Sequence, residues 1–233
     1  FEDKDVEKDL SAAKELARSL VVVATAMGKP TRAVLTAMEQ PLGRAVGNAL
    51  EVAESIACLQ GGGPADTMEV TFALGEQMLL LAKVAKTKAA ARERLAAALA
   101  SGAALKKFRE MVAAQGGDVR TVDDPARLPR AKFQAPLPAA RAGFVQTVDA
   151  MGVAFAALRL GAGRAKAEDR IDHAVGFSGL VKIGERVERG TPLCVIHAND
   201  PKALAEAKRR LAEAIVVGAR PAKAPKLIGE IVE

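Results

Sequence analysis

Apolar residues recur at intervals of three and four over the first part of the chain, from Val6 to Val21. This spacing predicts an amphipathic helix that ends near Met27, where Gly28 and Pro30 stop it. The short apolar run at residues 33–35 then predicts a buried strand. A helix followed by a strand is the alternation typical of an α/β layer.

Helical patterns dominate the next part of the chain. We predict helices over residues 48–59, from Asp66 or Thr67 to about 85, and over 87–100 and 102–114. Glycines at 61–63 end the first of these segments and Gly102 separates the last two, and Asn48 stands where an N-cap would accept free helical N–H groups. This half is therefore expected to be a helical layer over a few strands.

Prolines accumulate over residues 118–138 and exclude long helices there. We accordingly place a boundary near Asp124, which divides the chain into residues 1–120, mostly helical, and residues 125–233. In the second part, alternating or apolar runs predict strands at 143–148, 174–177, 180–183, 193–197 and 226–232. Helices are predicted at 151–160 and 201–217, the latter capped by Asn199 or Asp200. The fold class is thus α/β, with α+β character and antiparallel strands at the C-terminus.

The amino-acid composition argues against a nucleic-acid partner and is compatible with an anionic substrate. The 233 residues are 50% hydrophobic, enough for a packed core, but only 3% are aromatic and neither Trp nor Tyr occurs. Stacking platforms for bases are scarce, so we expect no nucleic-acid partner. The net charge of +6 arises from 34 basic and 28 acidic residues interspersed along helices. Such a field suits an anionic substrate such as phosphate without identifying one.

Two isolated cysteines, Cys58 and Cys194, indicate neither a disulfide framework nor a zinc site. A reducing, cytoplasmic location is expected. The apolar runs fall short of the roughly 20 residues that a membrane-spanning helix needs, so no membrane partner is expected. Because the chain starts at Phe1 and not Met, we expect an upstream part to precede it.

The most distinctive segment is QPLGRAVG, residues 40–47, which we call the glycine turn. Pro41 restricts φ, whereas Gly43 and Gly47 permit backbone geometries closed to other residues. The turn leads into the helix predicted at 48–59, which carries Glu54. A turn of this kind orients its carbonyl groups.

This segment, with LTAME before it and NALEVAE after it, resembles the pyrimidine nucleoside phosphorylases and thymidine phosphorylases. The segments DHAVGF at 172–177, GERV at 184–187 and PLCVIHA at 192–198 resemble the C-terminal region of the same family, in order and spacing. The resemblance runs from about Leu10 to Glu233. It implies part of the large mixed-sheet domain of such an enzyme, followed by a C-terminal sheet-and-helix subdomain.

The resemblance also implies a potassium site. Matched residue by residue, the main-chain carbonyls belong to Leu42 and Ala45, and the carboxylate belongs to Glu54. Oxygen ligands suit a hard monovalent cation, and one carboxylate balances its charge. The alternative from pattern alone is that Glu54, three residues after Glu51, is an ordinary exposed helix acid.

The implied reaction is the reversible phosphorolysis of pyrimidine nucleosides. The phosphate loop and the base-binding residues of the family are missing here, because they precede this region in relatives. We therefore assign no catalytic residue to this chain and expect it to be inactive without its N-terminal portion. The resemblance further implies a homodimer.

Two other interpretations compete with these. His173 and His197, the only histidines, could act in acid–base or metal chemistry, but without neighbouring cysteines a structural role is favoured. Residues 179–193 superficially resemble a biotinyl or lipoyl carrier, with Lys182 as the modified residue. Lys182 lies only two residues before Gly184, whereas a carrier lysine occupies a hairpin tip. A non-enzymatic carrier or binding module is thus the alternative function.

Overall fold

The structure is a computed structural model that describes residues 6–164 and 166–233. Its residues form two compact units. One comprises the described residues up to Ala37, Glu69–Ala97 and Lys226–Glu233, and the other comprises Met38–Met68 and Ala98–Pro225. These units interleave along the chain, whereas the predicted division into 1–120 and 125–233 is sequential. That division stays a prediction about sequence segments.

The described residues contain eight α-helices, one 3-10 helix (Pro125–Arg127) and eight strands. The helices are α1 (Val6–Ala26), α2 (Asn48–Leu59), α3 (Ala65–Leu81), α4 (Lys88–Ala100), α5 (Ala103–Ala114), α6 (Arg120–Asp123), α7 (Ala150–Leu160) and α8 (Pro201–Ala214). The strands are β1 (Ala33–Thr36), β2 (Phe133–Pro138), β3 (Gly143–Val148), β4 (Gly176–Ser178), β5 (Arg186–Val187), β6 (Pro192–Ala198), β7 (Ile215–Gly218) and β8 (Ile228–Val232). The mixed class predicted from the sequence is confirmed.

The first unit contains a two-stranded antiparallel sheet of β1 and β8, in which Val34 pairs with Ile231. Helix α1 packs on it through Ala17 and Val21, which lie four residues apart and so share one helix face. Both side chains meet Val232 in a small apolar cluster. The helical spacing therefore predicts the helix but not all of its buried face, because Leu10, Leu16 and Leu20 of the same apolar pattern are exposed.

The second unit contains two three-stranded antiparallel sheets, with strand orders β2-β6-β4 and β5-β3-β7. Helices α7 and α8 pack against each other, and both contribute to one apolar core shared with the two sheets. Its fully buried side chains include Val145, Val153, Phe177, Ile196 and Leu211. The predicted antiparallel strands of the C-terminal part are thus present.

One predicted strand of the C-terminal part was wrong, and so was the end of one predicted helix. Residues 180–183 form no strand; Leu180 and Val181 are buried, but their N–H groups bond to the carbonyls of Arg44 and Leu193, which lie in different segments. The helix predicted at 201–217 ends at Ala214, because the following β-branched residues alternate between buried and exposed as a strand does. Asp200 caps α8 as predicted, by accepting a hydrogen bond from the N–H of Ala203.

Strand β2 was missed because it contains Pro136 and Pro138. It lies at the edge of its sheet, the position where a strand tolerates residues that cannot donate a backbone hydrogen bond. No helix in the described part of the chain is long and apolar enough to cross a membrane.

Candidate functional site

The second half of the glycine turn is bound to strand β4. Val46 and Phe177 form an isolated antiparallel bridge, with N–O distances of 2.9 and 2.7 Å. The N–H of Leu180 donates to the carbonyl of Arg44 at 3.0 Å. A Cβ on Gly47 would lie 2.4 Å from the carbonyl oxygen of Val175, so only glycine fits this approach.

Gly47, not Asn48, is the N-cap of α2. The N–H of Gly47 donates to Oε1 of Glu51 at 2.8 Å, whereas the side chain of Asn48 donates to the carbonyl of Ala162 at 3.2 Å. The prediction of an Asn48 cap was therefore wrong. The close approach of strand β4 requires glycine directly before the helix, and Glu51 supplies the acceptor in its place.

Glu54 reaches from α2 onto the glycine turn. Its Oε1 accepts a hydrogen bond from the N–H of Arg44 at 2.9 Å. Its Oε2 lies so close to Gly43 that a Cβ there would stand 2.0 Å from it. Gly43 also has φ +72°, a conformation that glycine adopts without strain. Glu54 is thus partly buried and directed at the turn, unlike an ordinary exposed helix acid.

The charge of Glu54 lacks a side-chain counter-ion among the described residues. Burial raises the pKa of this carboxyl, although the hydrogen bond from Arg44 and the charge of Lys182 act in the opposite direction. Burying an uncompensated carboxylate is costly, and a nearby cation would offset that cost. Glu54 also lines a depression of about 430 Å³, which gives solvent ions a route to it.

Lys182 and Asp66 form an ion pair beside the first half of the turn. Nζ of Lys182 lies 2.6 Å from Oδ2 of Asp66 and donates to the carbonyl of Pro41 at 2.5 Å. The same Oδ2 accepts the N–H of Gly43 at 3.2 Å. Burial alone would raise the pKa of Asp66, but the hydrogen bond and charge of Lys182 bring it below its ordinary value.

Arg44 and Glu185 form a second ion pair. The guanidinium of Arg44 binds the carboxylate of Glu185 and the carbonyl of Leu180, the latter at 3.0 Å. The hydrogen bond from Arg44 to Glu185 raises the pKa of Arg44 against the effect of burial. Burial would raise the pKa of Glu185, but Arg44 and the N–H of Lys182 lower it overall.

The segment 180–185 therefore holds the turn through charged side chains and backbone groups together. The N–H of Ile183 adds a hydrogen bond of 2.9 Å to Oε1 of Gln40. Sequence reasoning missed this set because its members lie up to 143 positions apart. No local pattern signals such pairs.

The predicted ligand residues occupy different environments. The Leu42 side chain is 45% exposed and Ala45 is buried, while Glu54 lies against the turn. Carbonyls and one carboxylate make an oxygen-only donor set, which suits a hard monovalent cation. The partly buried carboxylate of Glu54, which has no ion-pair partner among the described residues, fits such an ion, and the use of the Leu42 and Ala45 carbonyls as ligands stays a prediction.

The histidines lie apart from this cluster. Nε2 of His197 is 2.8 Å from Oγ of Ser178, and this contact joins strands β4 and β6. Burial lowers the pKa of His197, which favours its neutral form. His173 is exposed, and its carbonyl accepts the N–H of Ala49 at 3.0 Å. The side-chain contact of His197 agrees with a structural role, whereas the role of the His173 side chain stays a prediction.

The carrier alternative loses its support at Lys182. Its side chain is only 12% exposed, and its ammonium group is engaged by Asp66 and Pro41. A carrier lysine has to be accessible to a ligase and then swing its prosthetic group through solvent. Lys182 meets neither requirement.

Comparison with known proteins agrees with the resemblance seen in the sequence. Residues 144–218 match the family described as "Pyrimidine nucleoside phosphorylase C-terminal domain", and residues 7–105 match "Glycosyl transferase family, a/b domain". Three proteins named "Pyrimidine-nucleoside phosphorylase" are among the relatives. The one from Bacillus subtilis (strain 168) is 44% identical over 220 residues, which cover 94% of this chain and 50% of that protein.

The relative from Geobacillus stearothermophilus is 43% identical over 221 residues, covering 95% of this chain and 51% of the relative. The one from Staphylococcus aureus (strain USA300) is 44% identical over 192 residues, covering 82% of this chain and 44% of that protein. The chain thus spans about half the length of the curated relatives it matches. Two family matches in separate segments and this level of identity show that the chain belongs to the pyrimidine-nucleoside phosphorylase family.

Proposed function

We propose that this protein serves the reversible phosphorolysis of pyrimidine nucleosides, as a pentosyltransferase. Phosphate attacks C1′ of thymidine, uridine or deoxyuridine; the bond from C1′ to the base breaks, and (deoxy)ribose 1-phosphate and the free base result. The observation that carries the proposal is 44% identity over 220 residues to a protein named pyrimidine-nucleoside phosphorylase. Positioning and electrostatic stabilisation of the departing base dominate such a reaction.

In this proposal the residues that bind phosphate and base come from an N-terminal portion, and the chain alone is inactive. The chain provides the glycine turn and the C-terminal sheets as a rigid body. The complete enzyme acts as a homodimer in the cytoplasm. Domain closure around the substrates excludes water from the reacting atoms.

We further propose that the carbonyls of Leu42 and Ala45 and the carboxylate of Glu54 hold a potassium ion. When bound, the ion neutralises Glu54 and ties α2 to the turn. Three features support this: Glu54 is partly buried without a counter-ion among the described residues, Gly43 leaves space for its carboxylate, and the adjoining depression opens to solvent.

The activity is tested by expressing this chain with and without a relative's N-terminal portion and measuring release of uracil from uridine and thymine from thymidine. We expect release only with the N-terminal portion and only when phosphate is added. Release without phosphate would indicate hydrolysis and contradict phosphorolysis. No release under any of these conditions would reject the activity.

The cation site has a separate test that needs no catalysis. The melting temperature is followed against potassium chloride, with choline chloride holding the ionic strength constant. We expect potassium to stabilise the wild-type protein and not Glu54→Gln, because the neutral amide cannot balance the ion's charge. Glu93→Gln, at an exposed position of α4, is the matched control and should respond like wild type. Equal responses of all three proteins would exclude the site at Glu54.

A further inference from the structure

The glycine turn already holds one positive charge, the ammonium group of Lys182. Nζ contacts the carbonyl oxygen of Pro41 at 2.5 Å and the carboxylate of Asp66 at 2.6 Å. A carbonyl and a carboxylate are ligands of the kind proposed for the free ion at Glu54. The side chain of Lys182 is 12% exposed and that of Asp66 22% exposed, so water screens this contact weakly.

Asp66 links this ammonium group to the backbone of the turn. One oxygen, Oδ2, binds both Nζ of Lys182 and the N–H of Gly43. Without the ammonium group, the Pro41 carbonyl would lose this donor and the Asp66 carboxylate its counter-ion, so Gly43 would be held less firmly. The neighbouring N–H, that of Arg44, is the group that binds Glu54.

Lys182 is itself fixed by its surroundings. Its N–H donates to Oε2 of Glu185 at 3.1 Å, and Glu185 binds Arg44. The N–H of Ile183, the next residue, binds Gln40. The backbone that carries the ammonium group is therefore anchored to the same turn that the ammonium contacts.

We propose that Lys182 is a positioning residue whose ammonium group acts as a built-in cation of the glycine turn, fixing the segment from Pro41 to Gly43 and thereby setting the potassium affinity at Glu54. The second part of this inference rests on the proposed cation site. The first part concerns only the order of the turn. The charge of Lys182 also acts directly on Glu54, so by charge alone its removal would strengthen potassium binding. Weaker potassium binding in the variant would therefore report the order of the turn, and the two effects can be distinguished by their sign.

The first experiment measures amide hydrogen exchange of Gly43 and Arg44 in wild type and in Lys182→Ala. Hydrogen bonds to charged groups are among the stronger ones, so we expect these amides to exchange about tenfold faster or more in the variant. Methylammonium should restore protection, because its NH₃⁺ group can occupy the space left by the side chain. Tetramethylammonium, which cannot donate a hydrogen bond, should not.

Lys107→Ala is the matched control, since it removes a lysine ion pair, that with Glu110, from an exposed surface. Its exchange at Gly43 and Arg44 should equal that of wild type. If Lys182→Ala does not fold, Lys182→Met keeps the apolar stem and removes only the charge. Wild-type protection of both amides in a folded variant would overturn the inference.

The second experiment titrates potassium against the melting temperature of the same variants. We expect the potassium concentration for half-maximal stabilisation to rise about tenfold in Lys182→Ala, as for the loss of one charged hydrogen bond, and to fall again with methylammonium. An unchanged potassium dependence in the variant would overturn the link between Lys182 and the cation. If potassium does not change the melting temperature of wild type, both the proposed site and its link to Lys182 are rejected. The hydrogen-exchange measurement still decides whether Lys182 orders the turn.

Discussion

The apolar core of the second unit and the charged cluster at the glycine turn hold the same unit together in different ways. In the core, Phe177, Ile196 and Leu211 are fully removed from solvent. At the turn, Asp66 and Lys182 remain partly exposed and depend on individual hydrogen bonds. Burial of apolar surface stabilises the core in proportion to the buried area. The turn is stabilised by ion pairs and by hydrogen bonds, which require a set direction.

Because of this difference, the core mainly determines the stability of the unit, and the turn determines the geometry of the candidate site. Non-directional burial tolerates small shifts of neighbouring atoms, but a binding site needs carbonyl and carboxylate oxygens at set positions. The two regions meet at Phe177, whose side chain lies in the core while its backbone pairs with Val46 of the turn. The core therefore supplies the fixed support against which the charged contacts position the turn.

The largest expected effect comes from breaking the core. Replacing Phe177 with Ala removes a fully buried ring and should lower the free energy of unfolding by about 3–5 kcal/mol. Urea denaturation measures this loss. The matched change Phe133→Ala, at a residue 40% exposed, should cost less than about 1 kcal/mol. Similar losses for both variants would contradict the assignment of Phe177 to the core.

A smaller effect should follow from Gly43→Ala in the turn. The residue needs φ +72°, and its new Cβ would stand 2.0 Å from Oε2 of Glu54, so we expect a loss of about 2–4 kcal/mol from backbone strain and overpacking together. Gly102→Ala isolates the strain alone, because Gly102 has φ +74° and a Cβ added there would meet no atom within 4 Å.

We therefore expect Gly102→Ala to cost only about 1–2 kcal/mol, which is the strain contribution. Equal losses at Gly43 and Gly102 would show that the Glu54 carboxylate does not occupy the space beside Gly43. Thermal or urea unfolding of both variants under one set of conditions makes the comparison.

The smallest effect concerns pH. Asp66 and Glu185 have pKa values below their ordinary 3.8 and 4.5, so they stabilise the fold above those values and lose this contribution as the pH falls through the lowered ones. Glu54 has a raised pKa and acts oppositely: its contribution is present below pH 4.5 and is lost as the pH rises through the raised value.

Because both ion pairs are partly solvated, we expect Asp66 to contribute at most about 1 kcal/mol. Urea unfolding between pH 3 and 7 should show less acid destabilisation in Asp66→Asn than in wild type. An identical pH dependence of the two proteins would contradict the ion pair with Lys182.

The sequence predicted the local features of the site and missed its long-range contacts. The bounds of α2 and the position of β1 agree with prediction to within one residue. Glu54 contacts the turn through the N–H of Arg44, and its use as a cation ligand stays a prediction. The cap of α2 was assigned to Asn48 because neighbouring residues alone cannot reveal that β4 crowds Gly47. The partners of Lys182 were missed for the same reason.

What the sequence by itself determined is local: helix periodicity, the glycine and proline positions of the turn, and motifs specific enough to identify the family. These depend on residues a few positions apart, so a short stretch of sequence carries the information. Only the tertiary structure decided that Lys182 contacts Pro41, 141 positions earlier, and that Arg44 pairs with Glu185. Such contacts exist because the packed core brings distant segments together, and no short stretch of sequence contains that information.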